Sequence, residues 1–276
     1  MRTRFNGQVA LITGASSGIG AALAREFARE GAHTVLLARR VERINALAGE
    51  LTGAGRRSLA LAGDVTRDGD VERAVELARR EFGRLDVAVA NAGFSVAGRL
   101  LDLTLDDYRR QMETNVFGVL RTLLAALPSL QQTRGRIVLI GSMFGTMSIP
   151  GGTPYCMSKF ALAGLAGGLG LELAPYGVSV THVMAGVVDT EIYHVNNQGL
   201  HTDTPPRLPP PSMLRLPADR AARQIVSAAY RRKRSHILPI HARMGIFLQR
   251  HFPGLAYFVI SRATRKALRA RSGLES

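Results

Sequence analysis

Cysteine is almost missing from this chain: Cys156 is alone among 276 residues, so no disulfide can form within it. That suits a reducing compartment, and a cytoplasmic location is expected. Histidine is thinly spread, at positions 33, 182, 194, 201, 236, 241 and 251, with no HxxxH pair and no His/Cys cluster. No metal site is therefore expected. Lysine supplies only three of the 36 basic residues, Lys159, Lys233 and Lys266; the rest are arginine. Long hydrophobic runs are missing as well. Val9-Ala10-Leu11-Ile12 is too short for a secretory signal and stops at a glycine motif. The longest uncharged stretch, 137–158, is broken by glycines, Pro150 and Pro154, and reads as strand plus loop rather than a membrane span.

Acidic residues are short too, 21 against 36 basic, for a net charge of +15. The imbalance sits late. From Arg231 onward eleven Lys/Arg face one acid, Glu275, so ten of the fifteen charges fall in the last sixth of the chain. Such a tail suits an anionic surface. Nucleic acid is not expected as a partner, because the tail carries no recognition motif.

Apolar content of 46% is enough for a sizeable core. Short β-branched runs at 9–12, 33–37, 58–61, 87–89, 137–140, 178–183 and 237–238 alternate with helical patterns at 19–30, 41–51, 68–82 and 218–231. That alternation predicts βαβ units: a single doubly wound α/β (Rossmann-type) domain, a central parallel sheet flanked by helices. The domain is expected over 1–240, with a basic amphipathic helical extension over 241–276. Residues 190–217 hold six prolines and predict an irregular insert.

The first strand runs into Thr13-Gly14-Ala15-Ser16-Ser17-Gly18-Ile19-Gly20, ahead of a helix. Glycines allow a tight turn and close approach to a pyrophosphate, whose charge the helix N-terminus meets. The GxxxGxG spacing differs from the common GxGxxG, so the weight rests on the strand–turn–helix context. The second strand ends in Ala38-Arg39-Arg40, where an acid would hold the ribose 2′-hydroxyl of NAD(H). Guanidinium groups there suit the 2′-phosphate instead, so NADP(H) is expected over NAD(H), with Arg39 carrying most of the case because Ser17 in the glycine motif is not basic. The competing reading makes both arginines solvated helix-cap cations.

Ser142 follows the strand 137–140, and Tyr155 comes thirteen residues later with Lys159 four further on. On a helix Lys159 shares a face with Tyr155. An ammonium beside a phenol favours the phenolate, so Tyr155 can exchange a proton with a carbonyl or alcohol oxygen that Ser142 holds. A chance surface pair is the bland alternative. Against it, an arginine-biased chain places lysine here, and a compact ammonium fits beside a phenol better than a planar guanidinium does.

The motifs at 13–20, Asp64-Val65, Asn91-Ala92-Gly93, Asn115, Ser142, Tyr155-Cys156-Met157-Ser158-Lys159 and 186–190 resemble those of the short-chain dehydrogenase/reductase family, in order and spacing, from about residue 7 to 240. The resemblance implies an oxidoreductase for CH–OH/C=O groups. It implies cofactor contacts at Gly14, Ser16, Ser17, Gly18, Ile19, Gly20, Arg39, Arg40, Asp64, Val65, Asn91, Ala92, Gly93, Tyr155, Lys159, Gly186, Val188 and Thr190. Asn115 would hold a helix irregularity and a water relaying protons to Lys159. The family usually has proline where this chain has Ala185. Substrate would lie over Ser142 and Tyr155, under the segment after Thr190.

Phe94, Met143, Phe144, Met147, Ile149, Ile192 and Tyr193 are the candidate pocket, apolar enough to favour a lipid-, steroid- or aromatic-like substrate. Helical segments at 105–125 and 158–174 are where such proteins pair, so a homodimer or homotetramer is expected. In the tail, Met244, Phe247, Leu248, Phe252, Leu255, Phe258 and Val259 recur at helical spacing among arginines, broken by Pro253-Gly254. That pattern fits peripheral attachment to an anionic membrane or packing on a subunit. A non-catalytic NADP(H)-binding scaffold is the rival function; it would need the nucleotide half but not the Ser142/Tyr155/Lys159 set.

Overall fold

The computed structural model describes residues 3–206 and 210–272, with side chains as far as Arg262. Pro209 and Glu275 lie outside what is described, as do the side chains of Arg265, Lys266, Arg269 and Arg271. Seven strands form the sheet: β1 Val9–Thr13, β2 His33–Ala38, β3 Ser58–Ala62, β4 Val87–Ala90, β5 Arg136–Ile140, β6 Ser179–Ala185 and β7 Ser235–Leu238. Their order is β3-β2-β1-β4-β5-β6-β7, and every neighbouring pair is parallel. β1, β4 and most of β2 are buried on both faces, which is why they read as unbroken apolar runs rather than alternating ones.

Helices cover both faces. α1 Gly18–Arg29, α2 Val41–Gly53 and α7 Ala218–Tyr230 share one apolar core, with Leu23, Phe27, Ile44, Leu47 and Ile225 packed on Ile12 and Leu36. α3 Asp70–Phe82, α5 Gly118–Thr133 and α6 Thr153–Glu172 cover the other, with Val71, Leu123, Leu130 and Leu162 on Leu11, Val35 and Leu139. Each large apolar side chain so buried contributes about 1.5–3 kcal/mol. Chain order reverses between β1 and β4, and ligands of such sheets bind in the crevice at that switch point.

Three expectations shift. The third helix starts at Asp70 rather than at 68, because Gly69 takes a left-handed φ of 87° just before it. The strand expected at 178–183 runs from Ser179 to Ala185, since Met184 and Ala185 pair with Ile237 and Leu238. The helix expected at 105–125 is broken: α4 Leu105–Met112 opens on a Thr104/Asp107 capping box, then a π-turn spans Glu113–Phe117 before α5. The tail folds as α8 Ile240–His251 and α9 Pro253–Ser272, separated at Phe252. Among the described residues no helix is long and apolar enough to cross a membrane.

Candidate active site

The first turn comes closer to β4 than any other residue type permits. Gly14 has φ 66°, and a β-carbon there would stand 2.8 Å from Ala92 Cα; one at Gly20 would strike the Gly14 carbonyl oxygen. Asn91 fixes the turn from the side. Its Nδ2 donates to the carbonyls of Thr13 (2.9 Å) and Gly14 (3.2 Å), and the amides of Asn91 and Ala92 donate to Thr13 Oγ1. Ser17 makes no side-chain cap to α1, which leaves the first-turn amides of Gly18, Ile19 and Gly20 for a ligand. The groove above them is about 520 Å³ and is lined by Ser16, Ser17, Gly18, Arg43, Thr190 and Glu191 among others. Bare amides at a positive helix end, a turn only glycine can make and flanking guanidinium groups fit the phosphates of a dinucleotide.

Of the two arginines ending β2, Arg40 reaches the turn. Its Nη2 donates to Ser17 Oγ (2.7 Å) and Ser16 Oγ (3.1 Å), and its Nη1 pairs with Glu191 at 2.8 Å. Arg39 points elsewhere, donating to the Gly199 carbonyl at 2.6 Å and lying 3.9 Å from Asp64. Asp64 is held by its own loop: Oδ1 accepts from Thr66, and its amide donates to Asp70. Val65 is buried against Gly118 at the start of α5.

At the end of β5, Ser142 is buried and its Oγ accepts from the Phe144 amide at 3.2 Å, capping a short 3₁₀ turn, Met143–Gly145. Tyr155 lies in the first turn of α6, next to Pro154, where a missing N–H is tolerated. Lys159 is one turn on and fully enclosed. Its Nζ donates to the Ile140 carbonyl at 2.9 Å and stands 5.6 Å from the centre of the Tyr155 ring. Burial pushes this ammonium down to about 8. Asn115, inside the π-turn, bonds the Phe94 backbone in both directions (3.1 and 3.0 Å) and donates to Ser158 Oγ at 3.1 Å. It thereby ties the loop after β4 to the helix carrying Tyr155 and Lys159.

The segment after β6 closes the groove. Gly186 packs on Ala242 of α8, Val188 bridges Leu216, and the Thr190 side chain lies against Gly18. Residues 191–202 then fold back on themselves, with the Thr202 amide donating to the His194 carbonyl at 2.7 Å. Of the candidate pocket residues, Phe94 and Met147 are core; Met143, Phe144, Ile149, Ile192 and Tyr193 stay partly exposed. Gly245 of α8 stands over the Met143 and Met147 methyls, so the extension packs against two of the candidate pocket residues.

Four residues escape the sequence reading. Arg43 donates to Glu191 at 2.6 Å, so a third arginine flanks the groove. It follows Arg40 at helical spacing, which was the available signal. Glu191 and Gly245 carry no local signal at all. His182, buried on β6, has its ring where a Gly141 side chain would be; burial and then the Lys159 charge push it down to about 4, which keeps it neutral.

The family model for short chain dehydrogenase matches residues 8–200. Oxidoreductase UcpA of Salmonella typhimurium is 41% identical over 189 residues, covering 68% of this chain and 72% of that protein. The structure of an alcohol dehydrogenase from the archaeon Thermococcus sibiricus, complexed with 5-hydroxy-NADP, superposes with a TM-score of 0.73 at 32% identity, covering 84% of this chain and 95% of that one. A Burkholderia phymatum short chain dehydrogenase/reductase with NAD reaches a TM-score of 0.81 at 24% identity over 91% of this chain and 96% of that one, a likeness of fold alone. The family match spans well over half the sequence, and this chain belongs to the short-chain dehydrogenase/reductase family.

Proposed function

We propose that this oxidoreductase is an NADP(H)-dependent reductase of ketones or aldehydes, or the reverse alcohol dehydrogenase, acting on an apolar substrate. The observation that carries the chemistry is the enclosed Lys159 ammonium 5.6 Å from the Tyr155 ring. Its charge favours the phenolate, so Tyr155 gives a proton to a substrate carbonyl oxygen or takes one from an alcohol. Ser142 Oγ holds the same oxygen. Asn115 positions α6 through Ser158 and supports the proton path to Lys159. The nicotinamide cofactor, when bound, supplies or accepts the hydride.

NADP(H) is favoured over NAD(H) by three arginines at the end of β2 and the start of α2, and by Ala38 where an acid would repel the 2′-phosphate. Gly14, Ser16, Ser17, Gly18, Ile19 and Gly20 would hold the pyrophosphate, Asp64 and Val65 the adenine, and Gly186, Val188 and Thr190 the nicotinamide end. The half-buried apolar wall of Met143, Phe144, Ile149, Ile192 and Tyr193 supports a lipid-, steroid- or aromatic-like substrate. A panel of hydrophobic and polar carbonyls with NADPH and NADH tests this: hydrophobic ketones should be turned over with NADPH preferred. No turnover across the panel would favour a scaffold that only binds the cofactor.

Two assemblies follow from exposed apolar surface. Leu124 on α5 and Leu171 on α6 are about 70% exposed, and side chains added at Gly164, Gly167 or Gly170 would meet no described atom within 4 Å. Those faces suit a second copy of this chain. On α8, α9 and the junction between them, Met244, Phe247, Phe252, Leu255, Tyr257 and Phe258 are each more than half exposed, next to Arg243, Arg250 and Arg262. Apolar side chains flanked by cations suit peripheral docking on an anionic leaflet, where each cation contributes about 1 kcal/mol.

A further inference from the structure

Arg40 caps α2 and Arg43 lies in its first turn. Cations there face the positive end of the helix dipole and call for an anion. Within the chain that anion is Glu191, which accepts from Arg40 at 2.8 Å and Arg43 at 2.6 Å, with His201 Nε2 3.6 Å away. Burial would raise the Glu191 carboxyl, but the bonds from Arg40 and Arg43 outweigh it and hold it below the usual range, so it is ionised. Glu191 directly follows Thr190, which rests on Gly18, and precedes Ile192 and Tyr193 of the pocket wall. The same loop sends the Gly199 carbonyl to Arg39 at 2.6 Å.

We propose that Glu191 is a specificity-determining residue: its carboxylate occupies the arginine site that would take a 2′-phosphate, and the phosphate must displace it. This rests on the NADP(H) reading. A carboxylate carries one charge and a phosphate nearly two, with more acceptor oxygens, so the exchange favours the phosphate. Displacement frees the loop from its ties to Arg40 and Arg43 and so reaches Ile192 and Tyr193. A cofactor without the 2′-phosphate leaves the clasp closed. Glu191 therefore lowers affinity for the phosphorylated cofactor while coupling its arrival to the substrate pocket.

The test compares wild type with Glu191→Gln by calorimetric titration of adenosine 2′,5′-bisphosphate and of 5′-ADP, with hydrogen exchange of the 191–201 amides read in parallel. Removing the internal competitor from this half-exposed site should tighten the bisphosphate by roughly three- to tenfold. Binding of 5′-ADP should stay within twofold. In wild type the bisphosphate, but not 5′-ADP, should speed exchange across 191–201; in the variant exchange should be fast without ligand. A wild type that prefers the bisphosphate, with a variant that binds it equally or more weakly, overturns the competition and spares the cofactor assignment. Failure of both proteins to distinguish the two nucleotides overturns both.

Discussion

Lys159→Met should make the cofactor-free protein more stable while abolishing turnover. Burial moves the Lys159 ammonium from its ordinary 10.5 to about 8. At about 1.4 kcal/mol per pH unit, keeping it charged in the folded chain at neutral pH costs about 3 kcal/mol. Methionine fills much of the same aliphatic volume and removes that cost, but leaves the Ile140 carbonyl without its 2.9 Å donor, a loss of about 1 kcal/mol. The variant should therefore gain about 2 kcal/mol at pH 6.5. The unfolded chain keeps this proton up to about pH 10.5 and the folded chain only up to about 8, so between those values wild-type stability rises with pH. Most of the advantage of the variant should have gone by pH 9.5. Urea unfolding of both proteins at pH 6.5 and 9.5, without cofactor, measures it. A variant equally destabilised at both pH values would refute the view that Lys159 is a buried cation held at a cost to stability.

Arg40→Ala should weaken NADPH binding by roughly ten- to a hundredfold, the loss of charge-assisted bonds, and leave NADH within a fewfold; Arg39→Ala should do less, and equal losses for both cofactors would remove Arg40 from the 2′-phosphate. Leu171→Asp should turn the oligomer into a monomer by light scattering at micromolar concentration, whereas an unchanged mass would move the interface off α6. Deleting residues 253–276 should abolish sedimentation with phosphatidylserine-rich vesicles while keeping oligomer and activity; a dissociated or insoluble product would instead place α9 in a subunit interface. Wild-type vesicle binding should fall between low salt and 0.5 M salt, as screening requires (a Debye length of about 10 Å at 0.1 M).

What was legible in the sequence is what depends on neighbours along the chain. Val9-Ala10-Leu11-Ile12 before a glycine cluster predicts a buried strand and a tight turn into a helix, and both are where they are expected. The Tyr155/Lys159 spacing becomes a shared helix face because α6 runs unbroken through both residues. Features that depend on contacts between distant segments were not legible. Arg43 and Glu191 are 148 residues apart, and no local pattern joins them. The order of Arg39 and Arg40 gave no sign that Arg40 would turn to Ser16 and Ser17 while Arg39 faced Gly199. The helical periodicity of 105–125 hides the π-turn; the resemblance alone implied an irregularity at Asn115, and the bonds Asn115 donates to Phe94 and Ser158 explain the extra residue. α8 read as an amphipathic extension, yet Ala242 and Gly245 are small because Gly186, Met143 and Met147 press against them.

Tyr155→Phe tests most directly whether Tyr155 is the group that exchanges the proton. The substitution removes one oxygen from a side chain whose ring packs edge-on against Phe144, with centres 6.4 Å apart, so the ring should keep its place. On a ketone that wild type reduces, turnover should fall by at least about a thousandfold, in keeping with loss of a positioned acid–base group and its hold on the reacting oxygen. NADPH affinity, read by fluorescence titration, should stay within about threefold, since the phenol contributes little to binding energy at the cofactor's far end. Turnover retained at near wild-type rate, with the cofactor bound, would contradict the account.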